Sequence, residues 1–87
     1  MGKIEKINQS KMPIIGKNIE RLRKENHLRN VDVVTRLQLK GIEVSTSTLS
    51  KIERGYSNPT VSMLIALTDI FQCDYNAFFQ EIDFQKE

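Results

Sequence analysis

Apolar residues of this chain recur three and four apart, with no sustained alternation, which predicts helices and excludes a sheet of useful length. Pro13 stands where prolines open helices. Behind it Ile14, Ile15, Ile19 and Leu22 form one stripe among Lys17, Glu20, Arg21, Lys24 and Glu25. Asn26-His27 ends that helix, since both residue types tolerate a left-handed backbone. A second helix begins near Asn30, a suitable N-cap, with Asp32 in its first turn. Its inward set is Val33, Val34, Leu37 and Leu39, and Gly41 stops it. Ile42 and Val44 pin the connection that follows. Ser45 caps a third helix over 46–54 that Gly55 closes, and YSNPT is turn chemistry. Thr60 caps a fourth helix over 61–71 with Met63, Leu64, Leu67, Ile70 and Phe71 inward; Asp74 opens a short fifth through Phe78 and Phe79. The expectation is an all-α, compact five-helix bundle over 13–80, with an N-terminal arm over 1–12 and a polar tail over 81–87.

The third helix carries the candidate chemistry. In STSTLSKIERG, residues 45–55, helical spacing turns Leu49 and Ile52 inward and places Ser47, Lys51 and Arg54 together on the solvent side, flanked by Thr46 and Ser50. That surface holds hydroxyls and two cations with no carboxylate among the five. Backbone N–H groups at a helix N-terminus suit a phosphate, hydroxyls reach phosphates or base edges, and lysine reaches guanine in the major groove. A purely structural helix would carry stronger helix formers than serine and threonine. Glu53 lies at the inward edge and needs a partner. Arg23, beside Leu22, is the candidate, giving an ion pair that clamps the first helix to the third.

At 87 residues one domain is expected. The net charge of +2 hides an asymmetry: residues 1–55 hold 12 Lys/Arg against 6 Asp/Glu, and residues 56–87 hold 1 against 5. One basic end suits an anionic polymer. A single cysteine, Cys73, and a single histidine, His27, form neither an internal disulfide nor a four-ligand zinc site, so no metal or cofactor is expected. Cys73 reads as a packed, inert thiol. Neither a membrane-length apolar run of roughly 18 residues nor the apolar core of a secretory signal is present, so an intracellular, cytoplasmic protein is expected. Paired catalytic carboxylates, a nucleophile–base pair and a phosphate-cradling glycine loop are missing as well, which argues against an enzyme.

The segments IGKNIERLRKENHL and STLSKIERGYSNPTVSMLIALTDIF resemble the Cro/C1-type (XRE) helix-turn-helix domain of phage repressors, over about residues 14–80. The resemblance implies that helices 2 and 3 form the helix-turn-helix, with helix 3 in the major groove. It makes Thr46, Ser47 and Lys51 the base-facing residues. It places Arg29, Asn30, Ser45, Thr48, Ser50, Arg54, Tyr56, Ser57 and Asn58 at positions that touch phosphate, cap a helix or approach the backbone. Arg23 and Glu53 match an interhelical ion pair of the family. Two features depart from its pattern. LQLKGIEVS is several residues longer than the usual turn between helices 2 and 3, so helix 2 gains a turn or the connection loops outward. Arg29 stands where a Ser or Thr cap is usual.

The function so implied is a sequence-specific regulator of transcription, a repressor or an autoregulating antitoxin, in a bacterium or phage. It would bind palindromic duplex DNA as a homodimer. Phe78, Phe79, Ile82 and Phe84 would supply the dimer contact or else close the core, and a partner protein could regulate it. The rival from another class is a protein-interaction module that has lost DNA binding.

Overall fold

The computed structural model describes residues 13–81, in four α-helices and one 3-10 helix: α1 (Ile14–Glu25), α2 (Asn30–Leu39), α3 (Thr46–Glu53), α4 (Val61–Phe71) and the 3-10 helix Tyr75–Phe79. The bundle is all-helical, as expected. The fifth helix is a single short 3-10 segment, with Asp74 at its N-cap making no side-chain capping bond. The expected arm over 1–12 lies outside the described residues, as do Ile82 and Phe84.

All four α-helices end in the same way. His27, Gly41, Gly55 and Gln72 have positive φ, at 58°, 86°, 87° and 54°. Each lets the chain reverse so that two backbone N–H groups return to the last turn, as in Leu28 N–H to Arg23 O and Tyr56 N–H to Lys51 O. Gly41 and Gly55 take this conformation without a Cβ penalty, whereas His27 and Gln72 take it as strained L-residues. The helix starts differ. Thr60 Oγ1 accepts from Met63 N–H at 3.0 Å, and Ser45 Oγ accepts from Thr48 N–H at 3.0 Å. The α2 cap is Arg29, and Asn30 is the first helical residue, not the cap. An arginine side chain has no acceptor, so only the acidic half of a capping box forms: Asp32 accepts from the Arg29 backbone N–H at 2.8 Å.

Ile15, Ile19 and Leu22 of α1, Val33, Val34 and Leu37 of α2, Leu49 and Ile52 of α3, Leu64, Leu67 and Phe71 of α4, and Phe78 converge in one core. Leu39 does not join it. It is 82% exposed, because α2 ends there and its stripe has already turned past the core. Phe78 is fully buried and closes the core, whereas Phe79 points outward at 52% exposure. Phe78 is thereby removed from any dimer contact. Cys73 is half-buried against the core; burial, with Asp74 adding to it, raises its thiol pKa and keeps it in the unreactive form.

Two contacts set the position of α3. Gly16 of α1 lies so close to the end of α3 that a Cβ there would strike Ile52 O. Beside that crossing, Arg23 Nε donates to Glu53 Oε2 at 2.8 Å and Nη2 donates to Glu53 Oε1 at 3.1 Å. The bidentate pair is largely shielded, with 15% and 8% of the two side chains exposed.

Candidate nucleic-acid interface

The α3 sequence divides by helical angle into three surfaces. Leu49, Ile52 and Glu53 are buried. Thr46, Ser47, Thr48, Lys51 and Arg54 are exposed. Ser50 is half-buried, between the two sets, and faces α2. The side chains of Thr46, Ser47, Lys51 and Arg54 make no hydrogen bond or ion pair with the described residues. Elsewhere Arg21, Arg23, Lys24, Arg29 and Lys40 are each held by a carboxylate. No described residue therefore competes with an external anion for the two α3 cations, and the helix sets where their side chains begin.

Several residues expected at the phosphate positions have structural duties. Ser45 caps α3, and its hydroxyl also donates to Thr48 Oγ1 at 3.0 Å, so these two side chains are tied to each other. Asn30 Nδ2 donates to Thr46 O at 3.2 Å and to Ser50 Oγ at 3.0 Å. Both amide hydrogens are thus occupied by α3, and Asn30 Oδ1 is buried without a hydrogen-bond partner among the described residues. A phosphate offers only acceptors, so Asn30 in this state has no hydrogen to give one. Ser50 accepts from Asn30 and retains its own hydroxyl proton for a phosphate. Arg29 is 78% exposed but its guanidinium pairs with Asp32 at 2.9 Å. That pairing, with the backbone N–H bond behind it, holds the Asp32 carboxyl down at about 2. Tyr56 is 78% exposed in the loop after α3, and Ser57 and Asn58 beside it are half-buried.

The long connection after α2 neither adds a helical turn nor swings free. Ile42 N–H donates to Leu37 O at 2.9 Å, Gln38 Nε2 donates to Val44 O at 3.1 Å, and Val44 is buried. Lys40 Nζ pairs with Asp69 of α4. An open groove of about 690 Å³ runs between this connection and the start of α3. No sequence signal pointed to these ties, because they join a side chain to a carbonyl six residues on and to a helix 29 residues away.

A second network also escaped sequence reading. Asn18 of α1 is fully buried; its Nδ2 donates to Phe78 O and Gln80 O, each at 2.9 Å, and its Oδ1 accepts from Arg21 Nε at 3.1 Å and Nη2 at 3.0 Å. Arg21 Nη2 also donates to Ala77 O at 3.0 Å. These bonds fasten the 3-10 helix to α1. An asparagine on the inner face of an otherwise apolar stripe was the available clue.

Among the described residues, no cluster of three or more His, Cys, Asp or Glu could hold a metal, and no helix is long and apolar enough to cross a membrane. The family model described as helix-turn-helix matches residues 19–78. The crystal structure of an HTH_3 family transcriptional regulator from Vibrio cholerae is similar, with 31% sequence identity and a TM-score of 0.62 over 77% of this chain. The match takes in 35% of that protein, so the chain spans about a third of its length. No curated protein sequence matches. The matched residues take in α2, the connection and α3 together with the helices that hold them, and with the free polar face of α3 they lead to one conclusion: the chain belongs to the Cro/C1-type helix-turn-helix family of DNA-binding domains.

Proposed function

We propose that this protein is a cytoplasmic, sequence-specific duplex-DNA-binding regulator, acting as a repressor, with α3 lying in the major groove. The observation that carries the reading is the outward surface of α3, where Thr46, Ser47, Lys51 and Arg54 are exposed and their side chains have no partner among the described residues. Thr46, Ser47 and Lys51 face base edges, and Lys51 suits guanine O6 and N7. Arg54, Ser50, Thr48 and the loop residues Tyr56, Ser57 and Asn58 meet the backbone. Arg29 joins them by exchanging Asp32 for a phosphate. Ser45 and Asn30 act from behind by holding α3. The role is binding and not catalysis, and the Vibrio cholerae regulator supports it by analogy.

So few base-facing residues read a short sequence, which favours a homodimer on a two-fold site with half-sites about one helical turn apart. Phe79 and Tyr75, each 52% exposed, together with Ile82 and Phe84, supply its contact. The test is a fluorescence-anisotropy titration of duplex DNA at low and moderate salt. With about four phosphates neutralised per protomer, and so about eight per dimer, raising salt fourfold weakens binding on the order of ten-thousandfold. Absence of salt-sensitive binding contradicts the reading and favours a protein-interaction module.

A further inference from the structure

Eight carboxylates occur among the described residues, and five of them pair with a cation: Glu20, Glu25, Asp32, Glu53 and Asp69. Asp74 and Glu81 flank the 3-10 helix, which packs on α1 and α4. The remaining one is Glu43. It is exposed, has no partner among the described residues, and lies in the connection two residues before the α3 cap. Two residues span at most about 7 Å, so Glu43 stands beside the N-terminus of α3. It lines the same groove as Ser45 and Thr48.

The position is awkward for a DNA-binding surface. A free carboxylate next to the helix end that enters the groove repels phosphates and finds no donor on them. The connection is also tied down at several points. Gly41 turns it, Val44 is buried beneath it, Gln38 binds the Val44 carbonyl, and Lys40 is tied to Asp69 instead of neutralising Glu43. Within the protein such a carboxylate gains only the modest attraction of the α3 N-terminus, and against DNA it gains only where the duplex presents a hydrogen-bond donor. In the major groove that donor is an exocyclic amino group, and cytosine N4 is the one a glutamate accepts from most directly.

We propose that Glu43 is a specificity-determining residue of this protein. Its carboxylate accepts from cytosine N4 at the edge of each half-site, and at sites with another base there it faces acceptors and weakens binding. The proposal rests on α3 being the major-groove helix.

The experiment selects bound duplexes from a random pool with the wild-type protein, Glu43→Ala and Glu43→Gln at one salt concentration, and measures the affinity of each for random duplex. The wild type enriches cytosine at one position adjoining the bases under the α3 N-terminus. Glu43→Ala loses that preference, roughly tenfold in discrimination, while binding random duplex severalfold more tightly. Glu43→Gln shifts the preference toward adenine, which glutamine reads through N6 and N7. A selected site with no cytosine preference there, or the same preference in all three proteins, overturns the proposal even if Glu43→Ala binds more tightly overall. Failure of the wild type to select any sequence overturns the reading of α3 as well, and so is distinguishable from a failure confined to Glu43.

Discussion

Glu53 shows how one buried side chain can set the position of a helix whose other face is exposed. Its carboxylate is nearly buried and grips Arg23 through two nitrogens, so Glu53→Ala leaves a shielded guanidinium short of its acceptor. The substitution is predicted to lower stability by about 1–3 kcal/mol, read as a drop in denaturant midpoint. Lys51→Ala acts differently. Lys51 is exposed and has no ion-pair partner among the described residues, so its removal leaves the melting temperature unchanged, weakens binding to the selected duplex by about 1–2 kcal/mol, and relaxes preference at one base position. The Glu53 partnership was legible because a charge beside Ile52 on an inward edge demands a cation, and Arg23 offered one. The duties of Asn18 and Asn30 were not. Each bonds to atoms at remote sequence positions, and an asparagine in a helix announces neither its partner nor its direction.

Helix ends and their connections divide in the same way. The stops at His27, Gly41 and Gly55 follow from residue type, and that at Gln72 does not, because glutamine has no left-handed preference to betray it. His27 is held at φ 58°, where glycine is at ease, so His27→Gly is predicted to stabilise the fold by about 0.5–1 kcal/mol in thermal unfolding. The start of α2 has a pH signature. The Asp32 carboxyl is depressed from 3.8 to about 2 by Arg29. A depressed carboxylate contributes stability fully above its unfolded value and loses it as pH falls toward its folded value. The prediction is that Asp32 contributes to an acid-side loss of stability between about pH 4 and pH 2, and that Asp32→Asn makes this loss shallower, measured by denaturant unfolding across that range. Leu39 was misplaced by its sequence pattern because periodicity gives a stripe but not the residue at which the helix leaves the core. The connection over 40–45 was legible as longer than usual; its course along the bundle depends on Lys40 meeting Asp69.

The assembled bundle explains why a net charge of +2 is a poor guide to the partner. The acidic excess lies after residue 55, at Asp69 of α4, at Asp74 and Glu81 on either side of the 3-10 helix and in the last residues of the sequence, whereas Lys51 and Arg54 of α3 have no carboxylate partner among the described residues. Contacts from two helices set the angle of α3: Gly16 lets α1 approach it, Arg23 grips its C-terminal end, and Asn30 holds its first turns from α2. The charge asymmetry made a basic N-terminal part of the chain legible before the fold was known. The tight α1–α3 crossing was not legible, since a glycine within a helix does not reveal what passes over it. The most direct test of the α3 surface is to follow backbone amide chemical shifts of the isotopically labelled protein as duplex DNA is added. The largest changes are predicted at Thr46, Ser47, Lys51 and Arg54, with α4 nearly silent. Changes confined to α4 and the 3-10 helix, or none at all at low salt, would contradict the account.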